Sequence, residues 1–170
     1  HTSIDMKLPP AISKMVKFSW LTSMANLILI SANVLAAEPQ IKHHILPGEP
    51  SLRGSAFVMN SMWVTGTNNS VFVSYDSGTS WLDRSPQITS NSDFRDVEVF
   101  SELHAIIMAV GSGQNSKLLE TRDGGKKWQL LYQNEHEKGF FDSIAFWDNK
   151  VGLLLGDPVD GYYVVEKTED

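Results

Sequence analysis

Six charged side chains stand where short apolar runs begin or turn back: Arg53, Arg95, Asp96, Asp142, Asp157 and Asp160. Arg53 precedes the first run of one unit and Arg95 and Asp96 that of a second. Asp142, after Glu135, His136 and Glu137, precedes that of a third. Asp157 and Asp160 lie in Gly156-Asp157-Pro158-Val159-Asp160-Gly161. Guanidinium and carboxylate groups gathered at one channel mouth would bind a polar ligand or a partner. The structural alternative is as definite, because Asp-Pro and Asp-Gly form turns and Arg95 beside Asp96 reads as an ion pair.

Other chemistries find little support. The chain has no cysteine, which removes disulfides and thiolate metal ligands. His43 and His44 are adjacent, so they diverge on an extended segment, and no third ligand is near; no metal site is expected. Gly111-Ser112-Gly113 and Asp123-Gly124-Gly125 are turns rather than phosphate loops, since no helix follows to present its N-terminus. With no dinucleotide fingerprint either, no cofactor is expected. Fourteen Lys and Arg against 20 Asp and Glu give a net charge of −6, and no basic run occurs, which argues against nucleic acid.

The elements that must position these residues belong to a repeat. Ser74-Tyr75-Asp76-Ser77-Gly78-Thr79-Ser80-Trp81 matches Thr121-Arg122-Asp123-Gly124-Gly125-Lys126-Lys127-Trp128 as Ser/Thr-x-Asp-x-Gly-x-x-Trp, and Thr168-Glu169-Asp170 begins the pattern again, each start 47 residues after the last. A fixed period of this size marks units that cannot bury their apolar faces alone. The strands expected in the first unit are Ser55–Met59, Met62–Thr65, Ser70–Ser74 and Trp81–Arg84. Those of the second are Val97–Phe100, His104–Val110, Lys117–Thr121 and Trp128–Tyr132; those of the third are Ser143–Trp147, Gly152–Leu155 and Tyr162–Lys167. Four antiparallel strands per repeat make the blade of an all-β propeller. A β-sandwich would not keep one turn motif at a strict interval.

Strand parity then sorts the ends. In a four-stranded antiparallel unit, the start of strand one and the 2–3 turn share one end, and the 1–2 and 3–4 turns share the other. The six charged residues therefore join Gly111-Ser112-Gly113-Gln114-Asn115 on one face, and the repeated motif lies on the opposite face. Within that motif, Asp76 and Asp123 can accept from backbone N–H groups of their own turn. Gly78 and Gly125 can take positive φ, and Trp81 and Trp128 can lay a ring against the hairpin. All of these roles close within one hairpin, so no ligand is needed.

The two complete motifs, opened by Ser74 and Thr121, resemble the Asp-box, or bacterial neuraminidase repeat, of sialidase-type propellers; Thr168 and Asp170 would open a third. Phe94-Arg95-Asp96, Phe140-Phe141-Asp142 and Gly156–Gly161 are similar to secreted propellers related to photosystem II stability and assembly factors. The resemblance covers about residues 51–170. It implies a structural motif and a binding or assembly-type module with an unidentified protein partner at the channel mouth. The other class it implies is a sialidase-like glycoside hydrolase with a carbohydrate ligand. Such enzymes carry Arg-Ile-Pro before the first box and an acid/base Asp between that Arg and the box. Arg53 is in place, but its context is Ser51-Leu52-Arg53-Gly54-Ser55, and residues 54–75 hold no Asp or Glu. Departure of a sugar leaving group needs a general acid, so the binding module ranks first.

The chain ends carry separate expectations. It opens on His1, and Met6 or Met15 could be the start. Lys14-Met15-Val16-Lys17, an apolar stretch centred on Leu27–Ile30, and Ala36-Ala37 have the form of a signal peptide helix. Residues 1–37 are thus expected to be upstream residues plus an export leader, the alternatives being an uncleaved membrane anchor or a buried amphipathic helix; the leader is the sole expected membrane contact, and the mature protein is expected to be secreted or periplasmic. Residues 38–50 form an extended lead-in with three prolines, followed by blades at 51–93, 94–139 and 140–170, about 2.8 units in all. A closed ring needs more, so the polypeptide is expected to continue past residue 170 with Gly at position 172 and an aromatic at position 175. Asn68-Asn69-Ser70 fits an N-glycosylation triplet, meaningful only in a eukaryotic secretory route.

Overall fold

The computed structural model describes residues 41–169, so the expected leader and its helix, along with Asp170, lie outside the described residues. From Ile45 onward the chain is a succession of antiparallel meanders. The first sheet holds β1 (Leu52–Val58), β2 (Ser61–Gly66), β3 (Val71–Ser74) and β4 (Leu82–Asp83) in that order. The second holds β5 (Asp93–Val99), β6 (Ala105–Val110), β7 (Lys117–Thr121) and β8 (Gln129–Gln133), likewise in order. The third holds β9 (Phe141–Phe146), β10 (Val151–Val159) and β11 (Tyr162–Glu169). A single 3₁₀ turn, Gly113–Asn115, bridges β6 and β7 among the described residues.

Turn chemistry sets the hairpins. Asn68 and Asn69 both take positive φ (60° and 61°) between β2 and β3, and Asp160 and Gly161 do the same (51° and 87°) between β10 and β11. Two-residue turns with both centres left-handed match the twist of the strands they join, which is why Asn and Asp-Gly occupy them. The lead-in corrects the expectation of a plainly extended segment. Pro47-Gly48 turns sharply, with the Glu49 N–H donating to the Leu46 carbonyl at 3.1 Å, and Leu46 is buried.

Packing follows the strand period of two. On β6, Ala105, Ile107 and Ala109 enter a cluster shared with Trp63, Val71, Val73, Phe94 and Val97 of the first and second sheets. Ile106 and Met108 point the other way, into a cluster with Leu118, Phe141, Ile144 and Leu154. An unbroken apolar run thus serves two faces, because this sheet is covered on both sides. Each fully buried aliphatic side chain contributes roughly 1.5–3 kcal/mol, more than the ~0–1 kcal/mol of an exposed ion pair. Hydrophobic packing between sheets therefore dominates. The first strands stack in sequence, β1 against β5 and β5 against β9.

The first strands begin earlier than the sequence pattern suggested: β1 at Leu52, β5 at Asp93 and β9 at Phe141. Residues expected to precede these strands are therefore inside them. Pairing continues past a break in register, which apolar alternation alone cannot reveal.

Candidate binding face at the inner strand ends

Those breaks are equivalent in the three sheets. In β1 the register shifts between Leu52 and Gly54, so Arg53 is the extra residue. In β5 it shifts between Phe94 and Asp96, leaving Arg95 extra. In β9 Phe141 pairs with Gly156 and Ser143 with Leu155, leaving Asp142 extra. A bulge re-aims the side chain it displaces. Arg53 and Arg95 are exposed and Asp142 half-buried.

Both arginines reach toward the next sheet. Arg53 Nε lies 3.5 Å from Asp93 Oδ2, while the guanidinium of Arg95 sits 5.5 Å from the ring centroid of Phe140. Asp93 and Phe140 each precede their sheet's bulge by two residues, so one contact geometry recurs with two chemistries. The Arg53–Asp93 pair is open to solvent and contributes ~0–1 kcal/mol, which leaves the guanidinium ready to exchange partners. Among the described residues, no side-chain hydrogen bond or ion pair holds Asp142.

The expected Arg95–Asp96 ion pair does not form. The two side chains go to different partners, Arg95 to the ring of Phe140 and Asp96 to the backbone of β9. Asp96 instead accepts the Ile144 N–H at 3.0 Å and its own neighbour Val97 N–H at 3.0 Å, clipping the second sheet to the third. Gly54 holds the corresponding place in the first sheet, where a Cβ would meet Thr65 Oγ1 at 2.7 Å and the Arg95 carbonyl at 3.0 Å.

Asp157 and Asp160 belong to the β10–β11 hairpin. The Asp157 N–H donates to the Phe140 carbonyl at 2.9 Å, and Asp160 lies 3.7 Å from Lys138 Nζ on an exposed surface. They share an end with the start of β9, but no contact joins them to Arg53 or Arg95 among the described residues. Sequence reasoning overlooked Asp93, Lys138 and Glu98, and named Phe140 only within Phe140-Phe141-Asp142 without a contact for it. Glu98 is held above the usual carboxylate range, first by burial and then by the Asp96 charge, with a backbone bond from Phe146 opposing. Val97-Glu98-Val99 reads as a strand with one wet face, so nothing in the sequence marked it. Among the described residues no cluster of three or more His, Cys, Asp or Glu is placed to hold a metal.

At the opposite end, the two complete motifs form matching hairpins. The Gly78 N–H donates to Ser74 Oγ (2.8 Å) and the Gly125 N–H to Thr121 Oγ1 (2.9 Å). The Ser80 N–H donates to Asp76 Oδ1 (2.8 Å) and the Lys127 N–H to Asp123 Oδ1 (2.9 Å). Gly78 and Gly125 stand at φ 81° and 79°. Ser80's hydroxyl and N–H, then Ser74's hydroxyl, hold the Asp76 carboxyl down at about 2, and the Lys127 N–H foremost lowers Asp123. Trp128 crosses to the first sheet, donating Nε1–H to the Arg84 carbonyl at 2.8 Å and meeting Trp63 edge-on at 6.3 Å. Thr168 closes β11 opposite Gly152, as Thr121 faces Ala105.

No protein-family model matches the chain, and no curated protein matches it in sequence. Solved structures do match. The chain is similar to one described as YCF48 bound to D1 peptide, with 18% identity and a TM-score of 0.59, over 79% of this chain and 44% of that one. It is also similar to YCF48 from Cyanidioschyzon merolae, with 21% identity and a TM-score of 0.57, over 73% of this chain and 38% of that one. The chain thus spans less than half the length of either neighbour. The likeness establishes the fold: the meander sheets are those of a β-propeller, as the repeat predicted.

Proposed function

We propose that this chain is a protein-binding propeller module that takes an extended peptide segment across the bulged ends of β1, β5 and β9. The observation that carries this reading is the recurrence of the bulge, which turns Arg53, Arg95 and Asp142 out at one end of three adjacent inner strands. A peptide supplies carboxylates and backbone carbonyls to the arginines and N–H groups or a cation to Asp142. The neighbour YCF48, a photosystem II assembly factor, supports the reading, since one of its structures holds a D1 peptide. The role we assign is accordingly assembly-type, in an exported protein as the leader pattern suggests, with its paired hairpins as Asp-box elements.

Binding of an array of extended peptides with free C-terminal carboxylates, measured by fluorescence anisotropy, tests this. Charge-assisted bonds contribute about 1.5–3 kcal/mol, so Arg53→Ala and Arg95→Ala should each weaken a binding peptide about tenfold or more. Binding indifferent to both substitutions would refute the placement. Hydrolysis of fluorogenic sialosides, lost in Arg53→Ala, would put the glycosidase class first.

A further inference from the structure

The two arginine bulges are equivalent in register but not in company. Arg53 faces a carboxylate, Asp93, whereas Arg95 faces a ring, Phe140. A charge-assisted bond between guanidinium and carboxylate runs at about 2.7–2.9 Å, and the strong form is bidentate. Arg53 Nε stands 3.5 Å from Asp93 Oδ2, longer than that, and the arginine side chain stays 45% exposed. The other carboxyl oxygen, Asp93 Oδ1, is buried with no hydrogen-bond partner among the described residues. Both groups therefore leave bonding capacity unused. The fold does not depend on them. At Gly54 the first sheet comes so close to the second that a Cβ would stand 3.0 Å from the Arg95 carbonyl, and Trp63, Phe94 and Val97 share one buried cluster.

We propose that Asp93 is an internal competitor for Arg53, standing where a partner's carboxylate would bind, so that this face selects an acidic segment that engages Arg95 first and then displaces Asp93. The inference rests on the peptide-binding reading of the same face and adds to it a charge and an order. A neutral backbone carbonyl cannot take a guanidinium from a carboxylate. A second carboxylate can, because it makes the two-point contact that Asp93 does not. Once released, Asp93 turns its buried Oδ1 to water, which offsets part of the lost ion pair. Among the described residues no acid pairs with Arg95, so its donors are open at first encounter. Asp142 at the third bulge repels a carboxylate, which confines the acidic part of the segment to the first two sheets.

The probes are labelled Gly/Ser peptides with amidated ends that carry Glu pairs two, three or four residues apart. Stacked sheets lie about 10 Å apart and an extended residue spans about 3.3 Å, so these spacings bracket the two arginines. By fluorescence anisotropy, Asp93→Asn should tighten the best Glu peptide about three- to fivefold, the size of an exposed ion pair. The same change made in Arg53→Ala should give no such gain. Replacing both Glu by Gln should weaken binding to the native chain about tenfold or more. The thermal midpoint of Asp93→Asn should stay within about 3 °C of the native value. A second readout needs no peptide. Under titration with acetate, the Arg95 Nε–H resonance should shift at lower concentration than that of Arg53, and in Asp93→Asn the two should shift together. If that order holds while no peptide binds, the peptide reading falls and the competition stands. Acetate reaching both arginines alike in the native chain would overturn the proposal. So would a Glu peptide bound no better by Asp93→Asn, or a gain that persists without Arg53.

Discussion

Removing the indole of Trp128 isolates what ties the first sheet to the second. Its ring meets Trp63 edge-on and its Nε1–H reaches the Arg84 carbonyl at 2.8 Å. Trp128→Phe keeps an aromatic face but deletes the bond, and should cost about 1 kcal/mol. Trp128→Ala also deletes the ring. A fully buried Trp→Ala change costs about 3–5 kcal/mol; Trp128 is half-buried, which places the expected loss at about 2–3 kcal/mol. Urea unfolding followed by circular dichroism gives both values without relying on emission from the residue being changed. A double-mutant cycle with Trp63→Leu should return a coupling of about 0.5–1.5 kcal/mol for the aromatic pair. If Phe costs as much as Ala, the ring contributes nothing and inter-sheet packing at this slot is the wrong account. If Ala costs under about 0.5 kcal/mol, the sheets are not held together here at all.

Gly54→Ala should destabilise by about 1–3 kcal/mol in the same assay, because the added Cβ would lie 3.0 Å from the Arg95 carbonyl and 3.1 Å from Asp96 Cα, backbone atoms that cannot rotate away; a neutral result would mean that the first and second sheets part easily. The Asp76 carboxyl has a folded pKa of about 2 against an ordinary 3.8. Its contribution to stability is therefore complete above pH ~4 and lost as pH falls toward ~2. Thermal midpoints at pH 7 and pH 2.5 should fall further apart in the native chain than in Asp76→Asn, with Asp123 supplying part of the remaining acid sensitivity; equal falls would show that the carboxylate bonds add nothing.

The hairpins were legible because their chemistry is local. Ser74, Asp76, Gly78 and Ser80 exchange bonds within a few residues of one another, so type and spacing are enough. The inner strand ends were not. Arg53, Arg95 and Asp142 were noticed as charges near turns, but their equivalence rests on a register break in pairing with the next strand. Glu98 and Asp93 left no mark, because half-burial beside another carboxylate and a contact across two sheets are matters of distance.

By itself, the 47-residue spacing of a motif that bonds to itself determines that the chain is all-β, built of repeated meanders with the motif at one end and the charged residues at the other. Which charged residue turns outward, and which is spent as a clip between sheets, was decided by the tertiary structure alone. Arg95 and Asp96 are adjacent in the chain, yet one leans over Phe140 and the other accepts the Ile144 N–H. Local geometry encodes a turn in consecutive residues, whereas a bulge and the contact it re-aims exist only once a second strand and a neighbouring sheet are present.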